Sequence, residues 1–430
     1  MLSEKTRIVG ASAIGNVLEW FDFAIYGYFA ITIGQAFFPH QEPVAQLLST
    51  FGVFAIGCLM RPLGSLLSGS IGDRYGRRAA LTFSMTAMAF STFLVGLLPG
   101  YDTLGLAAPL ILTVLRMVQG LALGGECPTA FIFMIEHAGA HRRGLAGAMA
   151  TGGGTAGLLL GSATGAILTA LMPPEVLQAW GWRLPFLLGL PVGLMGLWLR
   201  RGVPEPPREA GMLQAPVREV FSHHRWLLAR LAGMASLGAV TFFIVFLYLV
   251  SWLQFVDGVT PARALAFNTI AMASALPIYL ASGWLSDRIG RRKLLLGAMA
   301  AGFVGAVPLF WMMQHSDPLM VLAGQFGFVL IISTIFGAEP AFMVEATPSP
   351  IRCTAVALAF NLPAGILGGL SPLAAAWLIH RTGNDLSPAF LIMAAAAVSL
   401  VATASFRDRT GMPDERPEQV TGSNPRQLVA

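Results

Sequence analysis

The sequence predicts an all-α polytopic membrane protein, twelve transmembrane helices in two pseudo-symmetric six-helix halves. Three observations predict it. Of 430 residues, 55% are hydrophobic and 11% charged, with a mean hydropathy of +0.68, whereas a soluble domain carries about 25% charged residues. Apolar runs of about 20 residues, the length that crosses a bilayer, recur along the whole chain. The segment SGSIGDRYGRR at 68–78 returns as SGWLSDRIGRR at 282–292, half a chain later.

Hydropathy places spans at 9–37, 47–71, 79–98, 106–136, 144–171 and 183–200, then at 226–256, 262–286, 294–314, 318–344, 353–379 and 387–406. The first run is long, contains acids and lacks a small-residue cleavage site, so it is not read as a removable signal peptide. Each copy of the repeat follows the second span of its half and precedes the third. The halves are therefore expected at 1–200 and 226–407, joined by a proline-rich, mixed-charge linker at 201–225. A tail at 408–430, rich in Pro, Glu, Arg and Asn, is expected to be disordered.

Charge placement sets the orientation. With both termini cytoplasmic, all but six of the 27 Lys and Arg fall in cytoplasmic segments. Arg183, Arg263 and Arg381 lie near the outer face, and Arg61, Arg116 and Arg230 lie within spans. That is the positive-inside pattern, so the net charge of +5 points to topology and not to nucleic acid. Cys58, Cys127 and Cys353 show neither a disulfide framework nor metal-ligand spacing, and His223-His224 has no second ligand cluster beside it.

The first span, GNVLEWFDFAIYGYFA at 15–30, holds Glu19 and Asp22. On a helix they share a face, and Tyr26 extends it. A charge at the bilayer centre is expensive and ordinarily marks function. Arg61 in the second span and Arg116 in the fourth are the natural partners. A structural ion pair is the bland alternative, but buried pairs often stabilise no better than apolar packing. Glu19 or Asp22 is therefore expected to carry the coupling proton, with Glu126 as a second proton site or gate. Arg116 can hold a carboxylate through two parallel hydrogen bonds, or can simply neutralise the acids. Gln119 lies on its side of the helix.

In the second half, Tyr248, Asn268 and Asn361 are expected to contact solute, as are Tyr26, Arg61, Arg116 and Gln119 in the first. Interhelical hydrogen bonding is the commoner use of Asn and Gln. Glu339, beside Pro340, is the one buried acid there. In TGGGTAGLLLGSATG at 151–165, no Lys-Ser/Thr follows as in a phosphate loop. Gly153, Gly157, Gly161 and Gly165 instead make a smooth helix face on which the halves can rock.

The repeated G-x-x-x-D-R-x-G-R-R pattern carries Asp73 and Arg77 in the first copy, Asp287 and Arg291 in the second. Topology-setting charge is the simple account. Its double occurrence favours a breakable lock between halves, with Arg142 and Arg143 or Arg352 as cations across the gap and Glu136 and Glu345 closing the preceding spans.

Both segments match the cytoplasmic loop motif of the major facilitator superfamily. CLMRPLG at 58–64, PGYDTLGLAAPLIL at 99–112, RMVQGLALGGE at 116–126, WGWRLPF at 180–186 and AFNLPAGILGGLSPLAAAWL at 359–378 add, in order, a resemblance to its metabolite:proton symporter family. That family includes carriers of α-ketoglutarate, citrate, shikimate, proline and betaine. The resemblance implies a proton-coupled symporter in a bacterial-type inner membrane, with protons and no cofactor. Its carboxylate carriers often have Arg where Arg116 stands, which implies an organic acid as solute. The alternative is a zwitterionic osmolyte such as betaine or proline, or export. An enzyme is not expected, since no metal cluster, nucleophile-base spacing or nucleotide motif is present. The expected partners are a small carboxylate, protons and the bilayer, not nucleic acid, with the chain acting as a monomer.

Overall fold

A computed structural model describes residue 17 and residues 19–75, 77–124, 126–136, 138–200, 216–256, 258–408 and 410–411. The expected disordered tail beyond 411, most of the linker (201–215) and the side chains of Asp73, Arg77, Glu126 and Cys127 lie outside the described residues.

Every expected span is helical. The first covers 19–37 with a turn at Phe29. The second comprises Pro43–Leu59 and Arg61–Tyr75, the third Arg77–Leu97, and the fourth Ala107–Ala122 and Glu126–Glu136. The fifth is Arg143–Leu171, and the sixth is Leu184–Leu187 continued by Gly189–Arg200. In the second half the spans are Arg225–Phe255, Pro261–Ile289, Arg291–Met313, Pro318–Ala346, Ser349–Thr382 and Ser387–Ala404. Hydropathy alone misses three short helices, Tyr101–Leu104, Pro174–Ala179 and Pro216–His223. The last lies within the expected linker and buries Val220 against the start of the eleventh span.

Several spans that read as continuous are interrupted. A turn at Met60, just before Arg61-Pro62, divides the second. Single π-helical turns at Ile244–Tyr248 and Ala364–Gly368 interrupt the seventh and eleventh. Such turns re-aim side chains and frequently mark functional helices. Exposed apolar residues, among them Phe90, Leu110, Ile167, Val304, Trp311 and Val401, cover the outside as a lipid-facing surface. The seventh span differs, with 94% of its apolar window buried inside the protein. A helix apolar all round belongs in the core.

The halves meet at both ends of the bundle. Spans five and eight pack along their lengths, and the first part of span two, Pro43–Leu59, packs on span eleven. Toward the end opposite the basic loops Phe51 meets Tyr248 edge-on at 5.6 Å, and the Tyr28 hydroxyl donates to the Met272 sulfur at 3.3 Å. The opposite end, where the basic loops lie, is closed by the Phe131–Phe360 ring pair at 5.5 Å and by ion pairs. The chain is thus closed on both sides.

The glycine face of span five is offset from the expected one. Gly154, Gly157 and Gly161 carry the closest contacts with span one, inside the same half, while Gly165 meets Leu265 of span eight. A strict four-residue repeat drifts around a 3.6-residue helix, so the stripe does not stay on one neighbour.

Between spans two and four the backbones touch. A Cβ on Gly120 would run into the Gly57 carbonyl, and one on Gly57 would lie 3.0 Å from the Arg116 carbonyl. Gly120→Val is expected to lower the thermal unfolding midpoint of the purified protein by several degrees, through overpacking of about 1–3 kcal/mol. Gly52→Ala, with open space around its Cβ, should leave the midpoint unchanged or raise it. Equal effects at the two positions would contradict this packing.

Candidate functional site

The four charges expected in the first half form two ion pairs. Arg116 Nη1 donates to Asp22 Oδ2 at 3.0 Å, and Gln119 Nε2 donates to Asp22 Oδ1 at 3.1 Å and to Thr92 Oγ1 at 3.0 Å. Arg61 Nη2 lies 3.6 Å from Glu19 Oε1. All four charged groups are buried. Each guanidinium also covers aromatic faces: Arg116 sits 3.8 Å over the Tyr26 ring, and Arg61 sits 5.2 Å over Trp20 and 5.6 Å over Phe23. Rings of this kind stabilise a desolvated cation. The close crossing at Gly57 and Gly120 brings both arginines against the first span.

The pairs occupy one face of that span, and two narrow cavities flank it. One lies within the first half and is lined by Glu19, Asp22, Ser84, Met88, Thr92 and Leu123 among others. The other lies between the halves. Its lining comes from Trp20, Phe131, Thr151, Gly154 and Thr155 on one side, and Phe242, Phe336, Glu339, Pro340, Met343 and Phe360 on the other. Among the described residues its lining has one carboxylate and no Lys, Arg or His.

None of the seven residues expected at the solute lines the inter-half cavity. Arg61, Arg116 and Gln119 bind the acids or Thr92 as described, and the Tyr26 hydroxyl donates to the Thr50 carbonyl at 3.0 Å. Tyr248 packs on Phe51, toward the end opposite the basic loops. Asn268 donates to Ser162 Oγ at 3.2 Å, and Asn361 to the Gly124 carbonyl at 2.9 Å, both joining the halves. Sequence reasoning missed the cavity's aromatic side chains. Trp20 stands beside Glu19, but only the helix packing shows that it turns the opposite way.

At the basic end the repeat motif joins the halves through a different partner from the one expected. Asp287 accepts from the backbone N–H groups of Gly144 at 2.8 Å and Leu145 at 3.0 Å, at the start of span five. The unpaired N–H groups and partial positive charge of a helix N-terminus serve where a side-chain cation was expected. Arg291, at the start of span nine, pairs with Asp287 at the end of span eight at 3.1 Å and with Glu345 at 2.9 Å, and Arg143 approaches Glu345 at 3.6 Å. Arg352 crosses to Glu136 at 2.8 Å, while Arg142 is exposed at the N-cap of span five. Among the described residues, no cluster of three or more His, Cys, Asp or Glu forms a metal site.

Two six-span halves closed over a shared cavity, with neutralised charges in mid-bilayer, define a polytopic membrane carrier. The family comparison is specific: the chain belongs to the Major Facilitator Superfamily, whose model matches residues 12–362 and 269–428. It is 32% identical over 422 residues to the glycine betaine/proline/ectoine/pipecolic acid transporter OusA of Dickeya dadantii (strain 3937), covering 95% of this chain and 84% of that one. It is 31% identical, with the same coverage, to a proline/betaine transporter of Escherichia coli (strain K12). A putative proline/betaine transporter of Staphylococcus aureus (strain COL) is 33% identical over 92% of this chain and 86% of its own length. Among solved structures, a D-xylose-proton symporter superposes with a TM-score of 0.74 at 19% identity, covering 94% and 97% of the two chains. That likeness establishes the fold. The family and the named relatives are transporters, not enzymes.

Removing one member of a buried ion pair strands a charge at a cost of about 3–5 kcal/mol, whereas removing both does not. Arg116→Leu alone is therefore expected to depress the unfolding midpoint more than the Asp22→Asn/Arg116→Leu double variant. Additive losses in that cycle would show that the pair is not coupled.

Proposed function

We propose that the chain is a proton-coupled symporter, resident in a bacterial cytoplasmic membrane with both termini inside, that imports a zwitterionic osmolyte of the betaine or proline type by alternating access. The observation that carries the choice of solute is the inter-half cavity, whose described lining has one carboxylate and no cation. A di- or tricarboxylate needs an unspent guanidinium, and Arg116 is bound to Asp22. A zwitterion brings both charges with it and asks for no net compensation. The names of the relatives, covering most of this chain, support the same choice over an organic acid.

Coupling is assigned to Glu19 and Asp22. In the closed form their charges are matched by Arg61 and Arg116. Protonating either acid releases its arginine, and an uncompensated guanidinium in a dry bundle favours rearrangement of the spans that hold it. The acids face the cavity inside the first half, and Trp20 faces the one between halves. Proton and solute thus act on opposite sides of one helix. Opening toward the cytoplasm requires parting Asp287 from span five, and Arg352 from Glu136.

In proteoliposomes with an imposed pH gradient, acid outside, labelled glycine betaine or proline is expected to accumulate. Excess unlabelled betaine should compete, and citrate, α-ketoglutarate and shikimate should not. Carboxylate accumulation without betaine uptake would overturn the choice of solute. Asp22→Asn should abolish gradient-driven accumulation while leaving solute exchange across the membrane measurable. Undiminished accumulation in both Asp22→Asn and Glu19→Gln would remove these acids from the coupling.

A further inference from the structure

The role of Glu339 in the inter-half cavity goes beyond these assignments. It is 2% exposed, and its Oε2 has no hydrogen-bond partner. No ion pair to it is found among the described residues. The carboxylate leans on Gly238 of span seven, where a Cβ would lie 3.2 Å from Oε2. Pro340 follows it and has no N–H, so the Phe336 carbonyl one turn earlier lacks its helical donor. A carboxyl group and an unpaired carbonyl oxygen, both electron-rich, therefore fall on the cavity-lining stretch of span ten with no cation beside them among the described residues.

The rest of the wall is aromatic. Trp20 meets Phe242 edge-on at 5.1 Å, Phe242 meets Phe336 at 5.6 Å, and Phe131 meets Phe360 at 5.5 Å. Gly154 leaves room for the indole: a Cβ there would sit 2.8 Å from Trp20 Nε1. Aromatic faces beside a carboxylate suit a diffuse cation that has no N–H groups to satisfy, above all a quaternary ammonium. Packing alone gives no reason to place an unpaired acid among five rings.

We propose that Glu339, with the rings of Trp20, Phe131, Phe242, Phe336 and Phe360, is the subsite that binds the ammonium group of the solute. It rests on the osmolyte reading and narrows it to one end of the molecule. In this closed form the cavity is narrow, so the rings part to admit the ligand and close on it. The unpartnered Trp20 Nε1–H, on the opposite wall, is left for the carboxylate end.

Calorimetric titration of the purified full-length chain tests the subsite with choline and its neutral carbon isostere, 3,3-dimethylbutan-1-ol, beside glycine betaine. The wild type is expected to bind choline and betaine and not the isostere. Glu339→Gln should weaken both quaternary-ammonium ligands by about tenfold or more, the scale of a charge-assisted contact. Phe242→Leu should weaken them about threefold, the scale of one cation–π contact. Equal binding of choline and isostere to the wild type would overturn the subsite, as would unchanged choline affinity in folded Glu339→Gln. The wild-type comparison decides the matter even where a variant misfolds. Betaine accumulation with unchanged Glu339→Gln affinity sinks the subsite and leaves the transport reading standing. Selective choline binding without betaine or proline transport does the reverse.

Discussion

A charge held in mid-bilayer must be neutralised, and much of this architecture follows from that requirement. Asp22 and Glu19 sit on the first span, where water cannot solvate them, so Arg116 and Arg61 are brought within ion-pair distance. Bringing them there requires spans two and four to touch through Gly57 and Gly120, and aromatic side chains to cover the guanidinium groups. The pairs are poor sources of stability compared with apolar packing. In the proposed mechanism their value lies in being breakable by a proton.

The same economy of charge operates at the basic end, with different chemistry. There Asp287 holds a helix N-terminus, while Glu345 faces Arg143 and Glu136 holds Arg352 across the halves. Each contact joins segments that must separate if the cavity is to open on that side. Between the two regions lies a cavity nearly free of charge, and span one connects it to the ion pairs. A rotation of that helix moves Trp20 and Asp22 together, which gives solute and proton a common mechanical element.

The twelve spans were legible because hydropathy records what a bilayer demands of each segment independently of its neighbours. The turn at Met60 and the π-helical turns in spans seven and eleven were not, since they arise from packing between helices. Pairing of Glu19 and Asp22 with Arg61 and Arg116 was legible too, because isolated charges in hydrocarbon are untenable. What remained open was whether Arg116 is spent on that pairing or free for a ligand, and no spacing rule decides it. The aromatic wall was hidden for a statistical reason: with 28 phenylalanines in the chain, one more in a span carries little information. Glu339 stood out in the sequence, but its five ring neighbours come from spans one, four, seven, ten and eleven.

Proton coupling through the first span is tested most directly by infrared difference spectroscopy of the carboxyl region. Spectra of the purified chain would be compared at neutral and acidic pH with glycine betaine present. Exchange of a proton for the Arg116 contact predicts a protonated-carboxyl band at acidic pH that is lost in Asp22→Asn or in Glu19→Gln. The same band at full intensity in both variants would place the proton elsewhere and contradict the mechanism.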